Sequence, residues 1–307
     1  MTFNARYVDT VRLLLDILPT VFASGRFAMK GGTAINLFVQ DMPRLSVDID
    51  LVWVDPTPDR EADLAGITSE LSHMAAALSK QGLQVQWPTR LDGEEVRLLA
   101  ARRTTRVKVE ANAVFRGTLL PVRALPLTAA AAEIFDSDVA VPTLAVEELY
   151  GSKLVAAMDR QHPRDLFDVI GMWQRFGWTP RVIDCFVGYL AGHNRPVHEV
   201  LFSSPRSLQL SYGNEFRGMT RMPVSQSELE SVQRQLVAEL PRQLTHAHRE
   251  FLASLVRAEP DWSLMPFDHL RHLPAVRWKL DNLAVLRRKH PVKFAEQHQR
   301  LLEGLKR

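Results

Sequence analysis

Two short motifs near the start of the chain limit what it can fold into. The first is the glycine turn at residues 30–33, Lys-Gly-Gly-Thr, and the second is the segment 44–50, Arg-Leu-Ser-Val-Asp-Ile-Asp. Because residues i and i+2 of a strand point to the same face, Asp48 and Asp50 are predicted to project side by side. Two such carboxylates repel each other unless a cation lies between them, and their oxygens are ligands that Mg²⁺ prefers. A glycine turn that holds phosphates beside this pair predicts a site for a nucleoside triphosphate with magnesium.

Each motif has an ordinary interpretation when it stands alone. A Gly-Gly-Thr sequence is commonly only a turn, and an Asp-x-Asp sequence is commonly a solvated strand end. Here the two occur in order, with residues 34–40 predicted as a short helix between them and residues 49–54 as a buried strand. Together they resemble the active-site signature of the DNA polymerase β-like nucleotidyltransferase superfamily, which implies nucleotide transfer.

The composition is that of a globular protein with room for two domains. Of 307 residues, 46% are apolar and 24% are charged, so we expect two domains or one core with an extension. The single cysteine, Cys185, excludes an intramolecular disulfide and a multi-cysteine zinc cluster, and its apolar surroundings predict a buried thiol. No apolar run reaches the length of a transmembrane helix and no signal-peptide pattern is present, so we expect a cytoplasmic location and no membrane partner.

Basic residues are grouped rather than spread evenly. The net charge is +3 and the pI is about 9.1, with clusters at residues 97–108, 160–164 and 277–307. Such clusters attract polyanions through phosphate contacts, which permits RNA or DNA as a partner without identifying one. Solvated helix faces explain the C-terminal cluster about as well.

The hydrophobic periodicity changes character along the chain. Residues 1–142 are predicted to form a mixed α/β core and residues 143–307 a mainly helical lobe. In the core we predict helices at 7–18 and 61–81, strands at 27–29, 83–87, 96–101 and 106–112, and a turn at 92–93. In the second part we predict helices at 145–158, 163–176, 180–191, 225–240, 241–258, 276–289 and 291–305, and an irregular connection at 194–222.

The strand at residues 106–112 carries a possible third acidic ligand. Its strict alternation puts Lys108 and Glu110 on one face and valines on the other. A half-exposed strand whose Lys and Glu face water explains the pattern equally well. The resemblance to the superfamily, in which a third carboxylate lies on a later strand, favours Glu110 as a metal ligand.

A second group of charged residues lies further along the chain. Lys153 shares a helix face with apolar neighbours, so it either extends to water or points into a polar pocket. Asp168 lies on one helix face with Arg164 and Asp165. Lys153 could bind triphosphate oxygens while one aspartate orients the acceptor hydroxyl. The alternative is a surface ion pair between Arg164 and Asp168, with Lys153 extending to solvent.

The order of these motifs resembles one family in particular. The glycine turn, the segment 44–50, the Lys-Val-Glu strand at 108–110, Ser-Lys-Leu at 152–154 and Arg-Asp-Leu-Phe-Asp at 164–168 are similar to the AbiEii/AbiGii (MenT-like) nucleotidyltransferase toxin family. The resemblance covers residues 27–170, with a weaker match at 276–283.

This resemblance implies an α+β, bilobal fold. A polymerase β-like nucleotidyltransferase core with a mixed sheet is followed by a mainly helical C-terminal lobe, which completes the site and binds RNA. It further implies a toxin of a toxin–antitoxin system, restrained by a separately encoded antitoxin. Such a toxin transfers nucleotides from an NTP to the 3′ acceptor end of tRNA and so blocks translation.

The resemblance also implies the role of each motif residue. Asp48, Asp50, Lys153 and Asp168 are the expected catalytic residues, with Asp168 favoured over Asp165 as the essential late carboxylate. Mg²⁺ (or Mn²⁺) is expected on Asp48, Asp50 and Glu110. The nucleotide is expected on Lys30, Gly31, Gly32, Thr33, Ser46 and Lys153. Where many members of the superfamily have Gly-Ser, this chain has Gly32-Thr33, which keeps the hydroxyl and adds a methyl group.

Three other functions remain open at this point. The first is NTP-dependent modification of a protein target, and the second is GTP-dependent phosphotransfer. The third is a binding module that has kept the fold and lost catalysis. Retention of both carboxylates, the hydroxyl and the lysine speaks against the third, since adjacent repelling charges serve no evident purpose without a metal.

Overall fold

The chain forms two units, seen in a computed structural model that describes residues 5–87 and 95–306. The first unit contains residues up to 149 together with Met219–Pro223, and the second contains Tyr150–Gly218 with the residues from 224 onward. The turn predicted at residues 92–93 lies outside the described residues. None of the helices in these two stretches has the length and apolar character needed to cross a bilayer.

The first unit is built on a seven-stranded mixed sheet in the order β3-β4-β5-β2-β1-β7-β6. Its strands are β1 Phe27–Lys30, β2 Asp48–Trp53, β3 Gln84–Gln86, β4 Glu95–Arg102, β5 Thr105–Asn112, β6 Arg123–Pro126 and β7 Ala140–Thr143. Its helices are α1 Ala5–Val21, α2 Gly31–Thr33, which continues as a π-helical segment Ala34–Val39, α3 Arg60–Lys80 and α4 Ala129–Phe135. The predicted α+β class is confirmed, and α4 is a helix that the periodicity did not predict.

The pairing of the strands explains why the sheet is mixed. β2 runs antiparallel to β1 and parallel to β5, and β1 is also parallel to β7. The remaining pairs, β3 with β4, β4 with β5 and β6 with β7, are antiparallel. The central strand β2, which begins at the first motif aspartate, is therefore bonded on both edges.

One face of the sheet forms the core of this unit. Ile49, Leu51, Val107 and Val109 alternate with polar residues on β2 and β5 and are fully buried. Helix α1 packs against β5 and α3 against β4, so these apolar side chains are covered by helices. The charged residues of the same strands consequently project from the opposite face.

All regular elements of the second unit, within its described residues, are helices. Its elements are α5 Val146–Asp159, which begins in the first unit, α6 Pro163–Phe176, α7 Pro180–Ala191, α8 Val197–Leu201, α9 Gln209–Glu215, α10 Gln226–Glu239, α11 His246–Val256, α12 Pro274–Lys289 and α13 Pro291–Leu305. Prolines occupy the first turn of α6, α7, α12 and α13, where a missing N–H costs no hydrogen bond.

Two predictions for the second unit were wrong in detail. The connection at 194–222 is not wholly irregular, because it contains the short helices α8 and α9. The helix predicted at 241–258 is instead a 3₁₀ turn, Leu240–Gln243, followed by α11, whose start is fixed by the side chain of Thr245.

A short segment returns from the second unit to the first. Thr220 forms an isolated antiparallel bridge with Arg44, and the backbone N–H of Leu45 donates to the oxygen of Met219. The N–H of Arg221 donates to the oxygen of Pro43. Residues 219–223 thus fix the backbone just before the second motif.

Candidate active site

The glycine turn lies against the carboxylate of Asp50. Gly31 has φ of +76°, a conformation that favours glycine, and follows the extended residue Lys30 at the end of β1. A β-carbon built on Gly31 would collide with Asp50 Oδ2. A β-carbon on Gly32 would lie 2.6 Å from Nη2 of the buried Arg44 and 3.0 Å from Ser46 Oγ. Gly31 therefore combines a positive φ with a close approach to Asp50 that a β-carbon would block, whereas a β-carbon on Gly32 would require the Arg44 guanidinium to shift.

A buried hydroxyl ties this turn to the carboxylate strand. Thr33 Oγ1 donates to the backbone oxygen of Asp48 at 2.5 Å and lies 3.0 Å from Ser46 Oγ. Asn36 lies on the buried π-helical segment, and its Nδ2 donates to the backbone oxygen of Gly32 at a distance of 2.9 Å. The backbone and side-chain atoms around the two motifs are thus held in one fixed arrangement.

A row of four charged residues, two acids between two bases, crosses four strands beside the turn. In register, Lys30 is opposite Asp50, Asp50 is opposite Glu110, and Glu110 is opposite Arg97. Residues in register on neighbouring strands project to the same face of a sheet. The row therefore brings Glu110, the predicted third metal ligand, next to Asp50, with a basic residue at each end of the row.

Glu110 is bound by two basic side chains. It forms an ion pair with Arg97, and its Oε2 lies 2.9 Å from Lys108 Nζ. Lys108 Nζ also lies 3.7 Å from Oδ2 of Asp48, its partner in register. An ammonium group thus stands between two of the carboxylates that were predicted to bind metal.

The donor chemistry of this face fits a hard divalent ion. Asp48 and Asp50 offer carboxylate oxygens from one strand face, and Gly31 leaves room for Asp50 where a β-carbon would stand. Within residues 5–87 and 95–306, no three His, Cys, Asp or Glu side chains are arranged as a ready metal cluster. Metal binding by Asp48, Asp50 and Glu110 consequently stays a prediction.

The second unit holds a separate group of charges, here called the lysine cluster: Lys153, Arg160, Asp165 and Asp168. Lys153 is only 7% exposed, and its Nζ lies 2.9 Å from Asp165 Oδ1 and 3.1 Å from Asp168 Oδ2. Both aspartates are fully buried. Lys153 therefore points into a polar pocket, and the alternative in which it extends to solvent is wrong.

Asp165 is the most heavily bonded member of the lysine cluster. Arg160 donates from Nε to Oδ2 at 2.5 Å and from Nη2 to Oδ1 at 2.9 Å. Although burial raises the pKa of the Asp165 carboxyl, Lys153 and Arg160 together hold that pKa well below its usual range. Arg164 instead lies 3.9 Å from Glu215. Asp165 is thus the shared partner of two cations, which favour its charged form.

Sequence reasoning missed the basic residues that surround the predicted acids: Arg44, Arg97, Lys108 and Arg160. Arg44 shares the period-two spacing of Ser46, Asp48 and Asp50, which is a signal that it faces the same way. Lys108 was placed on the face of Glu110 without a role. For Arg97 and Arg160 the only sequence signal was that each lies in a basic cluster.

A comparison with family models decides which family this arrangement represents. The model described as nucleotidyl transferase AbiEii toxin, type IV toxin–antitoxin system, matches residues 12–282. That match spans most of both units and includes every motif residue discussed above. The chain belongs to the AbiEii family.

The fold of this AbiEii protein is shared with a solved structure. MenT4, a nucleotidyltransferase toxin from Mycobacterium tuberculosis H37Rv, superposes with a TM-score of 0.62 over 91% of this chain and 95% of its own. The two sequences are 20% identical, so the likeness shows the fold. A comparison with curated proteins finds no match.

Family membership defines the general activity. The protein is a nucleotidyltransferase toxin of a type IV toxin–antitoxin system, which implies a nucleotide substrate and a separate antitoxin partner. Enzymes of this class generally use an NTP with a divalent metal ion.

Proposed function

We propose that this AbiEii toxin transfers nucleotides from an NTP to the 3′ acceptor end of tRNA, in the cytoplasm, and thereby blocks translation. The observation that carries the proposal is the contact between Asp50 and the glycine turn at Gly31, with Asp48 on the same strand face. A carboxylate pair packed against a glycine turn that opens a helix suits a triphosphate.

The residues of the first unit supply most of the proposed chemistry. Gly31, Gly32 and Thr33, with Ser46 and Lys30, bind the phosphates, and Asp48 and Asp50 hold Mg²⁺ (or Mn²⁺) with Glu110. The ion, when bound, neutralises charge on the phosphates and increases the acidity of a coordinated hydroxyl. The bond that forms joins the RNA 3′-oxygen to the α-phosphorus, and the bond that breaks releases pyrophosphate.

The residues of the second unit supply the remaining charges. Lys153 opposes the triphosphate, and Asp168 orients the acceptor hydroxyl. Asp165 is not proposed for this role, because both its oxygens are already bound by Arg160 and Lys153.

The RNA is proposed to bind the second unit. Helices α12 and α13 carry a run of exposed basic residues: Arg277, Arg287, Arg288, Lys289, Lys293 and Arg300. Phosphate contacts by such residues give affinity that falls with salt concentration. A separately encoded antitoxin is proposed to restrain the activity.

The test is incubation of the purified protein with each α-³²P-NTP, Mg²⁺ and total tRNA, followed by a denaturing gel. We expect label in tRNA with one or a few nucleotides, loss of label for Asp48→Asn and Asp50→Asn, and normal label for Asp138→Asn, an exposed aspartate of the same unit. Label retained by Asp48→Asn would contradict the proposal.

The same gel distinguishes the alternative functions. Label in a protein band would indicate modification of a protein target. Transfer of label from γ-³²P-GTP but not from α-³²P-GTP would indicate phosphotransfer. No transfer from any NTP would indicate a binding module.

A further inference from the structure

The lysine cluster is balanced in charge by a residue that no motif assignment includes. Lys153 contacts two carboxylates, Asp165 and Asp168, so these three groups alone carry one net negative charge. Arg160 adds the second cation and brings the four groups to neutrality. A net negative charge beside Lys153 would oppose an incoming triphosphate, because like charges repel strongly where water is excluded.

The geometry of Arg160 fits this balancing role. Its guanidinium binds Asp165 in a fork, with Nε on Oδ2 at 2.5 Å and Nη2 on Oδ1 at 2.9 Å. Both oxygens of Asp165 are therefore occupied by Arg160, and only one of them is shared with Lys153. Bidentate pairs of this kind are stronger and more directional than a lysine contact.

The backbone that carries Arg160 is anchored by the next residue. Gln161 has φ of +53° and is buried, and its Nε2 donates to Ser203 Oγ at 3.2 Å and to the oxygen of Ser204 at 3.0 Å. Its Oε1 accepts from the N–H of Arg206 at 2.9 Å and from Gln233 Nε2 at 2.6 Å. This network holds the loop between α5 and α6. The backbone of Arg160 is therefore fixed, although its side chain is 63% exposed.

From this arrangement we infer that Arg160 is a positioning residue for nucleotide binding. It neutralises the charge of Asp165, so that the positive charge of Lys153 attracts the triphosphate. The inference rests on the proposed function, in which Lys153 faces the NTP. Arg160 itself acts through Asp165 and Lys153 and needs no contact with the substrate.

The charge balance can be tested with one double variant. Arg160→Gln leaves the cluster with one net negative charge, and we expect the KM for NTP to rise about tenfold while kcat changes less than about twofold. Arg160→Gln combined with Asp165→Asn restores neutrality, and we expect it to recover most of the lost affinity. Arg160→Lys keeps the charge without the fork, and we expect a KM between those of the wild type and Arg160→Gln.

Three measurements are made on each full-length variant: steady-state transfer to tRNA, equilibrium binding of α-³²P-NTP on a filter, and thermal unfolding. A purely structural role for Arg160 would lower the active fraction, and hence kcat, together with the unfolding temperature, while the KM and the equilibrium affinity for NTP stayed those of the wild type. That result, in a protein whose wild type transfers label, would overturn the inference alone. A wild type that transfers no label from any NTP would overturn the proposed function and the inference with it.

Discussion

Asp50 Oδ2 occupies the space beside the Cα of Gly31 that a β-carbon would need. This contact joins the two motifs, because the turn can approach the carboxylate strand only where the side chain is a hydrogen atom. The same residue has a positive φ. Gly31 is thus constrained twice, once by backbone conformation and once by the position of a proposed metal ligand.

Gly31→Ala is expected to reduce nucleotide transfer at least tenfold, because the new methyl group displaces Asp50. The matched control is Gly82→Ala in the same unit, since Gly82 also has a positive φ but has nothing near its β-position. Both variants lose about 1–2 kcal/mol of unfolding free energy from backbone strain. Transfer assays and urea denaturation separate the two effects, and equal transfer by both variants would contradict the assignment.

Thr33→Val is expected to lower the unfolding free energy by about 1–3 kcal/mol, since the backbone oxygen of Asp48 loses the hydrogen bond from the buried Thr33 hydroxyl. Thr33→Ser keeps the hydroxyl and is expected to cost only about 1 kcal/mol for the lost methyl group. Urea denaturation of the two variants measures the difference. Equal stability of Thr33→Val and the wild type would show that the hydroxyl bond contributes nothing.

Lys108→Met is expected to strengthen binding of Mn²⁺ by about threefold or more, because Lys108 competes with the metal ion for Asp48 and Glu110. Titration followed by electron paramagnetic resonance measures free Mn²⁺ without reference to activity. Lys80→Met, at the exposed end of α3, is the control and should bind as the wild type does. Unchanged or weaker binding by Lys108→Met would place the metal away from these carboxylates.

Gln161→Ala is expected to lower the unfolding free energy by about 2 kcal/mol, since the buried side chains of Ser203 and Gln233 and the N–H of Arg206 each lose a hydrogen bond. The exposed Gln174, on α6 of the same unit, provides the control, and Gln174→Ala should stay within about 0.5 kcal/mol of the wild type. Chemical denaturation is the measurement. Similar values for the two variants would rule out an anchoring role for Gln161.

Lys279 makes stability depend on pH in the alkaline range. Burial lowers the pKa of Lys279 to about 8, while the nearby Glu199 raises it. Since the folded pKa lies below the unfolded value, the cost of burying the charged lysine is fully present below pH 8. That cost is relieved as pH rises, because the folded protein loses the proton before the unfolded chain does.

The wild type is therefore expected to gain about 2 kcal/mol, relative to Lys279→Met, between pH 7 and pH 10. The difference between the two proteins removes the contribution of other groups that titrate in this range. Denaturation at several pH values gives the profile. A difference that does not change with pH would show that Lys279 is protonated equally in both states.

Local patterns were sufficient for the elements that carry the first motif. The alternation of Val107 and Val109 with Lys108 and Glu110 predicted β5 and its two faces, and the structure adds the register of β5 with β2 and β4. The helical spacing around Lys153 predicted α5 but left two directions open for the side chain. Which direction occurs depends on how α5 packs against α6, and no local pattern encodes that packing.

Contacts between distant segments were beyond the reach of sequence patterns. Thr220 pairs with Arg44, although a stretch of the other unit, Tyr150–Gly218, lies between them in the sequence. The guanidinium of Arg44 reaches over Gly32 because the two segments are fixed separately, one by this bridge and one by the end of β1. Periodicity describes the face of an element, and the identity of the facing segment is decided by packing.

The return of residues 219–223 makes neither unit a single stretch of the gene. A fragment that stops at residue 149 lacks the backbone partners of Pro43, Arg44 and Leu45, and one that starts at residue 150 carries a five-residue insertion that belongs elsewhere. Genetic truncation is consequently a poor way to separate the proposed nucleotide binding from the proposed RNA binding. The two proposed activities are better separated by point substitutions in an intact polypeptide.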